Sequence, residues 1–394
     1  MRYVGIDIAA EKHVVAVLDD ERQVVVKPTT FGEDTEGYAK LVALLGEPAD
    51  ALVAMEATGH YWKNLFAALA SHGFAVALLN PLRTRRFAGE DLERTKTDAI
   101  DALAIARFAA EKHPTATRLP NETTQEMREL VRLRDRLVQD FGDQVRQLHR
   151  LVDLGFPELT RHVRDLDSEL AQALLSRYPT AKAFAEAREG ELANLCYDGR
   201  RHVGRALAQT LIAGAKISVG QHHGEAYRIQ VECACETLAL LRKQLRRVER
   251  DIGTKLDAHE VGKLLTTIDG IGPTTAARII AECGDPADFR DAKALASYLG
   301  LVPSLRHSGK RIGMRAGLTN LGNLAVRAKL WMPTLTAVRR NPWLRAFYER
   351  LRAAGKLPKV ALCAAMRKLV TAIYSVAKNR KPFTPRLIAA EVTP

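Results

Sequence analysis

Four carboxylates near the start of the chain have the types and spacing to hold divalent cations: Asp7, Glu56, Asp98 and Asp101. Asp7 lies in an apolar run and Glu56 ends a second one, so both are predicted to lie on buried strands. Asp98 and Asp101 are three residues apart in a helical pattern and therefore share one helix face. A carboxylate in an apolar strand is costly unless it is paired or holds a cation. Oxygen ligands of this kind suit Mg²⁺ ions that act on a phosphodiester.

A second group of residues that could take part in catalysis surrounds Ser308. Its neighbours are small or basic, which lets the backbone approach a phosphate while Lys310, Arg311 and Arg315 offset the charge. A serine hydroxyl in this setting could attack phosphorus and hold a strand covalently. A loop that only contacts phosphate would have the same composition, and this segment alone leaves both interpretations open.

The elements that position the four acids follow from the pattern of residues 1–118. The predicted strands cover residues 2–8, 13–18, 23–27, 51–56 and 74–79, and the predicted helices cover 35–45, 60–71 and 97–110. The first three strands are separated by short turns, which favours an antiparallel meander. The order β-β-β-α-β-α-β-α is that of the α/β ribonuclease H-like (RuvC-like) fold, in which the first strand lies at the centre of the sheet.

Residues 119–260 have a different pattern, with apolar residues recurring at threes and fours between charged ones. The runs at 130–152 and 231–256 predict two long helices, paired as an antiparallel coiled-coil arm. Such an arm could mediate oligomerisation, or it could act as a spacer between the domains of one subunit.

Residues 261–394 are predicted to form an α-rich third domain. It opens with a helix, the turn Gly270-Ile271-Gly272 and a second helix, which is the pattern of a helix-hairpin-helix motif. Glycines permit the tight turn, and the backbone N–H groups that begin the second helix can bind a phosphate. An ordinary helix cap can have the same sequence.

The charge of the chain is concentrated at its C-terminal end. The whole chain of 394 residues has a net charge of +13. Residues 301–394 contain 19 Lys and Arg against two acids, Glu349 and Glu391, a net charge of +17. The preceding 300 residues contain 40 basic and 44 acidic residues, a net charge of −4. A segment this basic favours nucleic acid as the partner.

Cysteines and apolar runs indicate the compartment. Five cysteines form no disulfide framework in a chain this long, and the first residues enter a predicted strand directly. No apolar run reaches the roughly 18 residues that a membrane span requires. A cytoplasmic protein without a membrane span is therefore expected. Zinc binding by Cys196, Cys233 and Cys235 with nearby histidines is an alternative, although Cys235 occupies a core position of a predicted long helix.

Taken together, several short stretches resemble one known family. They are Gly5-Ile6-Asp7, Met55-Glu56-Ala57-Thr58-Gly59-His60-Tyr61-Trp62, Asn80-Pro81 with Arg86-Phe87-Ala88, Lys96-Thr97-Asp98-Ala99-Ile100-Asp101-Ala102, Gly270-Ile271-Gly272-Pro273, Tyr298-Leu299-Gly300-Leu301-Val302-Pro303 and Ser308-Gly309-Lys310. The chain resembles the insertion-sequence transposases that join a RuvC-like acid-tetrad domain to a C-terminal serine domain and are guided by a bridge RNA.

This resemblance implies a function and a set of site residues. The four acids would be the Mg²⁺-binding tetrad, and Ser308 would form a covalent 5′-phosphoserine with DNA. The partners would be the DNA of the element ends and the target, a guide RNA, and further copies of the chain in a dimer or tetramer. One subunit's tetrad would then meet another's serine.

The sequence departs from the family pattern at two places. His307 stands where a first serine is often found, which leaves Ser308 preferred and Ser304 in reserve as the nucleophile. Asn320 and Leu321 stand where members of the family often have two basic residues before Gly322 and Asn323.

Three other functions compete with this one. A metal-dependent resolvase or nuclease would use the same tetrad without a covalent intermediate. A sugar-kinase-like enzyme would require a Gly/Thr phosphate loop after Asp7, where Ile8-Ala9-Ala10 stands instead. A non-catalytic RNA-binding scaffold would have no need of the four acids.

Overall fold

The computed structural model describes residues 1–88, 97–308 and 311–385, with the side chains of these residues except 88 and 304–316. The chain divides into two compact units, Met1–Leu119 and Pro120–Pro394. The first is the N-terminal unit and the second the C-terminal unit. The N-terminal unit contains a mixed α/β sheet and the C-terminal unit is mainly helical.

The N-terminal unit is built on one five-stranded sheet. Its strands are β1 (Arg2–Asp7), β2 (Lys12–Leu18), β3 (Val24–Gly32), β4 (Ala51–Glu56) and β5 (Ala75–Leu79), and its helices are α1 (Thr35–Leu45), α2 (Trp62–Ser71), α3 (Pro81–Ala88) and α4 (Asp98–Lys112). The strand order is β3-β2-β1-β4-β5, and β2 runs antiparallel to both of its neighbours, β1 and β3. Strands β1, β4 and β5 run parallel, so β1 lies at the centre of the sheet.

The two faces of this sheet have separate cores because side chains alternate along each strand. On one face Val4 and Ile6 of β1 pack with apolar residues of α1 and α2. On the other face Tyr3 of β1 and Ala54 of β4 pack with α4. Gly5 and Asp7, two and four residues after Tyr3, therefore belong to the α4 face.

Strand β3 forms one edge of the sheet and is longer than predicted. The predicted strand ends at Lys27, whereas β3 continues through Pro28 to Gly32. Its pairing with β2 shifts register between Val15 and Leu18. Proline is tolerated here because a strand at a sheet edge does not use every backbone N–H group.

Helix α3 was not predicted. It begins at Pro81, where the missing N–H costs nothing because the first helical residues have no partner within the helix. Its N-terminal neighbour Asn80 accepts a hydrogen bond from the backbone N–H of Leu82 at 2.9 Å. The pair Asn80-Pro81 therefore begins a helix here in addition to ending a strand.

The C-terminal unit contains fourteen α-helices and two strands in its described residues. They are α5 (Glu122–Gly155), α6 (Leu159–His162), α7 (Glu169–Arg177), α8 (Ala181–Ala185), α9 (Glu189–Ala193), α10 (Arg205–Lys216), α11 (Glu225–Asp257), α12 (Glu260–Leu265), α13 (Pro273–Cys283), α14 (Ala292–Tyr298), β6 (Pro303–Ser308), β7 (Arg311–Leu318), α15 (Leu324–Lys329), α16 (Trp331–Arg340), α17 (Pro342–Ala353) and α18 (Pro358–Asn379).

The two longest helices, α5 and α11, pack against each other and run in opposite directions. Met127 and Val131 near the start of α5 share a core with Leu256 at the end of α11. Near the other ends, the Tyr227 hydroxyl donates to the Leu151 carbonyl at 2.6 Å. The predicted pair of long antiparallel helices is therefore present.

Strands β6 and β7 form an antiparallel pair around Ser308, a secondary structure that the sequence analysis did not predict. Strands β6 and β7 pair from Pro303 opposite Leu318 to Ser308 opposite Arg311. A glycine between two short runs is a common hairpin signal, and Gly309 holds this place in the sequence.

Among the described residues, α18 is the one helix long and apolar enough overall to cross a membrane, although the sequence contains no uninterrupted apolar run of about 18 residues, as expected. By length and composition alone it qualifies, although Arg367 and Lys368 interrupt it. In the structure 56% of its apolar window is buried. Leu369 and Ile373 of this helix belong to the main core of the C-terminal unit, which is the usual place of an apolar helix in a globular domain.

Candidate active site

Two neighbouring strands end in the first two acids of the tetrad. Strand β1 ends at Asp7 and strand β4 ends at Glu56, and the two strands pair in parallel with Ile6 opposite Met55. The next residue on each strand is the acid, so Asp7 and Glu56 lie side by side at the carboxyl edge of the sheet. Alternation along the strands puts both on the face that packs with α4.

Helix α4 brings the other two acids to the same edge. Its backbone lies against β1 at Gly5, where an added Cβ would overlap Ala102 and Ala106. His113, which follows the helix, stacks edge-on with Tyr3 near the start of β1, with 5.3 Å between the ring centroids. The helix therefore runs antiparallel to β1, and its first turn lies toward the carboxyl end of the strand. That first turn contains Asp98 and Asp101.

The start of α4 is set by Thr97. Its side chain accepts a hydrogen bond from the backbone N–H of Ile100 at 3.3 Å, and its carbonyl accepts one from the N–H of Asp101 at 2.9 Å. This N-cap makes Asp98 the first helical residue. Negative side chains are favourable in the first turn of a helix because of the helix dipole.

Glu56 is oriented by two threonines that the sequence analysis did not identify. The hydroxyl of Thr84, a buried residue of α3, donates to Oε1 of Glu56. The hydroxyl of Thr58 donates to Oε2 at 3.4 Å. Helix α3 thus supports an acid on β4 from 28 residues further along the chain. Only the prediction of a helix at 81–88 would have brought Thr84 to attention.

The four carboxylates share one edge of the sheet, but they are not drawn together into a ligand cluster. Among the residues that the structure describes, no three His, Cys, Asp or Glu side chains are close enough to hold a metal ion. Asp98 is exposed, whereas Asp7, Glu56 and Asp101 are half-buried. As a donor set, carboxylate oxygens from two strands and one helix fit a hard divalent cation such as Mg²⁺. Residues 89–96, which precede this helix, lie outside the described residues.

A buried histidine holds the turn that follows Asp7. His13 is fully buried, and its Nδ1 accepts from the backbone N–H of Ala9 at 3.3 Å. Its Nε2 therefore carries the proton and donates to Glu33 at 2.7 Å. Tyr38 also donates to this carboxylate, at 2.6 Å. Burial by itself would raise the pKa of Glu33, but the hydrogen bonds from Tyr38 and His13 lower it below its usual range.

Ser308 is the last residue of β6, and its backbone pairs with Arg311. The side chains of Ser304, Ser308, Arg311 and Arg315 are not described, and Lys310 lies outside the described residues altogether.

The two glycines at 270–272 have different surroundings. Gly270 has a φ of +99°, and a Cβ there would lie 2.6 Å from the Cβ of Ala337 on α16, so packing explains this glycine. Gly272 precedes α13 in open space, and it is exposed. The N–H groups at the start of α13 are therefore the part of the turn that a phosphate could reach.

Zinc binding finds no support among the described residues. Cys196 and His202 lie opposite each other in an isolated bridge, but no third ligand joins them. Cys235 is buried, and burial raises the pKa of its thiol to about 11.

Comparison with protein families identifies the chain. Residues 4–157 match the DEDD transposase domain of the IS110 group, and residues 262–349 match the domain described as transposase, IS116/IS110/IS902 family. The chain belongs to the IS110/IS116/IS902 family of transposases. Membership in this family implies an enzyme that recombines DNA, and the DEDD domain implies dependence on a divalent metal ion.

Relatives of this transposase cover nearly its whole length. It is 26% identical over 391 residues to the pilin gene-inverting protein of Moraxella bovis, with 98% of each chain covered. It is 26% identical over 390 residues to a 44.8 kDa protein of insertion element IS116 from Streptomyces clavuligerus, with 97% of this chain and 96% of the relative covered. It is 28% identical over 322 residues to a 43.6 kDa protein of insertion element IS110 from Streptomyces coelicolor, with 80% of this chain and 79% of the relative covered.

Proposed function

We propose that this transposase cuts and rejoins DNA with a Mg²⁺-binding tetrad of Asp7, Glu56, Asp98 and Asp101 and with Ser308 as the nucleophile. The observation that carries the proposal is the common edge at which β1 ends, β4 ends and α4 begins. Three elements that are distant in sequence supply the four acids to this edge of the sheet.

The tetrad residues would act as ligands. Bound divalent ions would orient the scissile phosphate and offset the charge of an in-line displacement. Thr84 and Thr58 would hold the Glu56 carboxylate, and the N-cap at Thr97 would hold the first turn of α4. Ligand side chains oriented by such neighbours bind metal more tightly than free ones.

In the proposed reaction Ser308 Oγ attacks phosphorus while the bond from phosphorus to the 3′ oxygen breaks. The serine proton is lost, and the leaving 3′ oxygen gains a proton. The product is a 5′-phosphoserine and a free 3′-hydroxyl. Attack by the 3′-hydroxyl of another strand reverses the step and restores the serine. The energy of the phosphodiester is kept in the covalent bond, so strand exchange requires no external energy source.

Further parts of the proposal concern architecture. The sheet order and the elements of residues 1–118 support a ribonuclease H-like domain. The antiparallel helices α5 and α11 support a coiled-coil arm within 119–260, and the turn before α13 supports a helix-hairpin-helix motif in a third domain, 261–394.

We also propose partners beyond the DNA substrate. A guide RNA would choose the DNA by base pairing, which leaves the protein to bind mainly shape and backbone. A dimer or tetramer in the cytoplasm would bring one subunit's tetrad to another's serine. Sequencing of RNA purified with the protein tests the first of these proposals. Recovery of only random cellular RNA would count against it.

The serine is tested by trapping the covalent intermediate. Purified protein is incubated with Mg²⁺, RNA from the flanking element and nicked DNA carrying the element end, and denaturing gels reveal protein bound to DNA. We expect the adduct with wild type, none with Ser308→Ala and normal yield with Ser304→Ala.

Two other results would change the assignment. Loss of the adduct in Ser304→Ala alone would move the nucleophile to that residue. DNA cleavage by Ser308→Ala without any adduct would favour attack by water, as in a metal-dependent resolvase.

The tetrad is tested by charge-removing substitutions with a matched control. Asp7→Asn and Asp98→Asn are expected to lower cleavage at least 100-fold and to weaken Mn²⁺ binding measured by titration calorimetry. Glu11→Gln removes an exposed acid that lies four residues after Asp7, and it should leave both the cleavage rate and the Mn²⁺ affinity unchanged. An equal loss of cleavage and of Mn²⁺ binding in all three variants would argue against a specific tetrad.

A further inference from the structure

The hairpin that contains Ser308 is attached to the C-terminal unit at a tightly packed base. We define the hairpin base as residues 298–302 and 318–323. Within it the N–H of Thr319 donates to the Val302 carbonyl at 3.0 Å, and the N–H of Asn323 donates to the Tyr298 carbonyl at 2.7 Å. The two segments therefore pair beyond the ends of the strands.

Two glycines let the segments of the hairpin base approach each other. Gly300 has a φ of +66°, and a Cβ there would lie 2.6 Å from the Leu321 carbonyl oxygen. Gly322 has a φ of +101°, and a Cβ there would lie 2.6 Å from the Tyr298 carbonyl oxygen. Larger residues would force the segments apart, since neither neighbour is a flexible side chain.

One guanidinium joins the two segments. Nη1 of Arg327, on α15, donates to the Gly300 carbonyl at 2.9 Å and to the Thr319 carbonyl at 2.6 Å. The first carbonyl precedes β6 and the second follows β7. Arg327 is half-buried, and its helix is capped by Asn323, whose side chain accepts from the N–H of Val326 at 3.1 Å. The arginine is thus held on an element that itself begins in the hairpin base.

The hairpin base continues the pairing of β6 with β7 into the C-terminal unit. Among the described residues, β6 and β7 form a sheet of two strands and no third strand extends it. An isolated two-stranded hairpin is only marginally stable in water. Its direction from the unit is therefore set mainly where its two ends are fixed, at Gly300 and Thr319.

We propose that Arg327 is a positioning residue, which fixes both ends of the hairpin so that Ser308 is presented to the scissile phosphate. This proposal rests on the proposed function of Ser308. Bonds to two protein carbonyls also distinguish Arg327 from Arg339, Arg340 and Arg345, which are exposed on α16 and α17.

The test compares Arg327→Met, Arg327→Lys and a control, Lys329→Met. The control removes the same charge from the same helix, at a residue that is 47% exposed and whose ammonium lies 3.7 Å from Asp135, away from the hairpin base. Two quantities are measured: the rate of adduct formation at saturating DNA, and hydrogen exchange in peptides that cover 303–319. Circular dichroism and the melting temperature check that each variant is folded.

We expect Arg327→Met to slow adduct formation about 100-fold, because small displacements of a reacting group have effects of this size. Its DNA affinity should stay within about twofold of wild type, and exchange in the hairpin should rise. Arg327→Lys, which can reach one carbonyl, should be intermediate on both measurements. Lys329→Met should resemble wild type in both.

Each contrary result would contradict a different part of the proposal. Unchanged exchange in folded Arg327→Met would overturn the positioning role. Weaker DNA binding with a normal rate at saturation would show that Arg327 contacts phosphate instead. If Ser308→Ala still forms the adduct while Arg327→Met raises exchange, then Arg327 orders the hairpin and the assignment of the nucleophile is wrong.

Discussion

At the scale of single residues, the backbone of α4 lies directly on β1 because Gly5 has no side chain. A Cβ at this residue would overlap the carbonyl oxygen of Ala102 and the backbone nitrogen of Ala106. Since Asp98 and Asp101 lie in the first turn of this helix, the distance between helix and strand also governs how near these acids come to Asp7. One missing methyl group therefore affects both the core and the candidate active site.

Gly5→Ala is expected to destabilise the protein by about 3 kcal/mol, since an overpacked core forces backbone shifts of about this cost. Denaturant unfolding followed by circular dichroism measures the change. Gly190→Ala, within helix α9, is the matched control, because a Cβ there meets nothing within 4 Å, and it should stabilise the protein slightly, by about 0.4–1 kcal/mol. An equal loss in both variants would contradict the close packing of α4 on β1.

At the scale of secondary-structure elements, three arginines join α5 to α13 through hydrogen bonds and ion pairs. Arg278, buried on α13, donates through both terminal nitrogens to Asp135 of α5 at 2.5 Å each. Arg132 of α5 donates to Glu282 at 2.9 Å, and Arg128 donates to the Ala281 carbonyl at 2.5 Å. These bonds fix the long helix to the helix that follows the glycine turn.

Asp135→Asn is expected to cost about 3 kcal/mol at neutral pH, because it leaves the buried Arg278 guanidinium without its counter-charge. Denaturant unfolding measures this cost. Asp143→Asn removes an acid whose partner Arg146 is 71% exposed, and it should cost about 0.5 kcal/mol or less. Equal costs would show that the Asp135 pair is no stronger than a surface pair.

The same pair predicts a pH dependence. Burial would raise the pKa of Asp135, but hydrogen bonds and charge from Arg278 lower it overall. A lowered folded-state pKa means that the stabilisation is complete above the unfolded value, about 3.9, and is lost as pH falls through the folded value. The difference in unfolding free energy between wild type and Asp135→Asn should therefore shrink below about pH 4. A difference that grew in acid would contradict this account.

The elements of the N-terminal unit were largely predictable because their signals are local. Apolar runs predicted β1 and β4, and three-residue spacing put Asp98 and Asp101 on one helix. Helix α3 was missed because half of its eight residues are polar and because a proline after a strand can equally mark the end of that strand. Thr84 was missed with it, since a hydrogen bond to a residue 28 positions away leaves no pattern in the sequence.

The serine segment was harder to predict for a different reason. Its glycine and basic residues are common to loops and hairpins alike, so composition could not separate the two. Arg327 was also missed, because a side chain that bonds two backbone carbonyls depends on the tertiary structure and on no property of its neighbours.

At the scale of the whole molecule, charge is divided unequally along the chain. The last 94 residues contribute +17, whereas the preceding residues sum to −4. Arg339, Arg340, Arg345 and Arg350 are exposed on α16 and α17. Trp331, Trp343 and Phe347 pack against the core, so these aromatic residues serve stability more than stacking on bases. We therefore expect this region to bind DNA mainly through contacts with the phosphate backbone.

The affinity for duplex DNA of unrelated sequence is expected to fall steeply as salt rises from 50 to 200 mM, because each neutralised phosphate releases counterions. Fluorescence anisotropy measures the slope of log K against log salt. Arg345→Gln should reduce that slope by about 1. Lys27→Gln, on an exposed residue of β3, should leave it unchanged. A slope equal in all three proteins would place the DNA-binding surface elsewhere.

The outer strand β3 has a consequence for the behaviour of the protein at high local concentration. An exposed strand edge with apolar residues invites strands of other molecules to add to it, and Val24 and Val25 are about half exposed there. Pro28 lacks the N–H group that an incoming strand would need, and the shifted register bends the row of donors and acceptors. These features make the β3 edge a poor template for a strand from another copy of the protein.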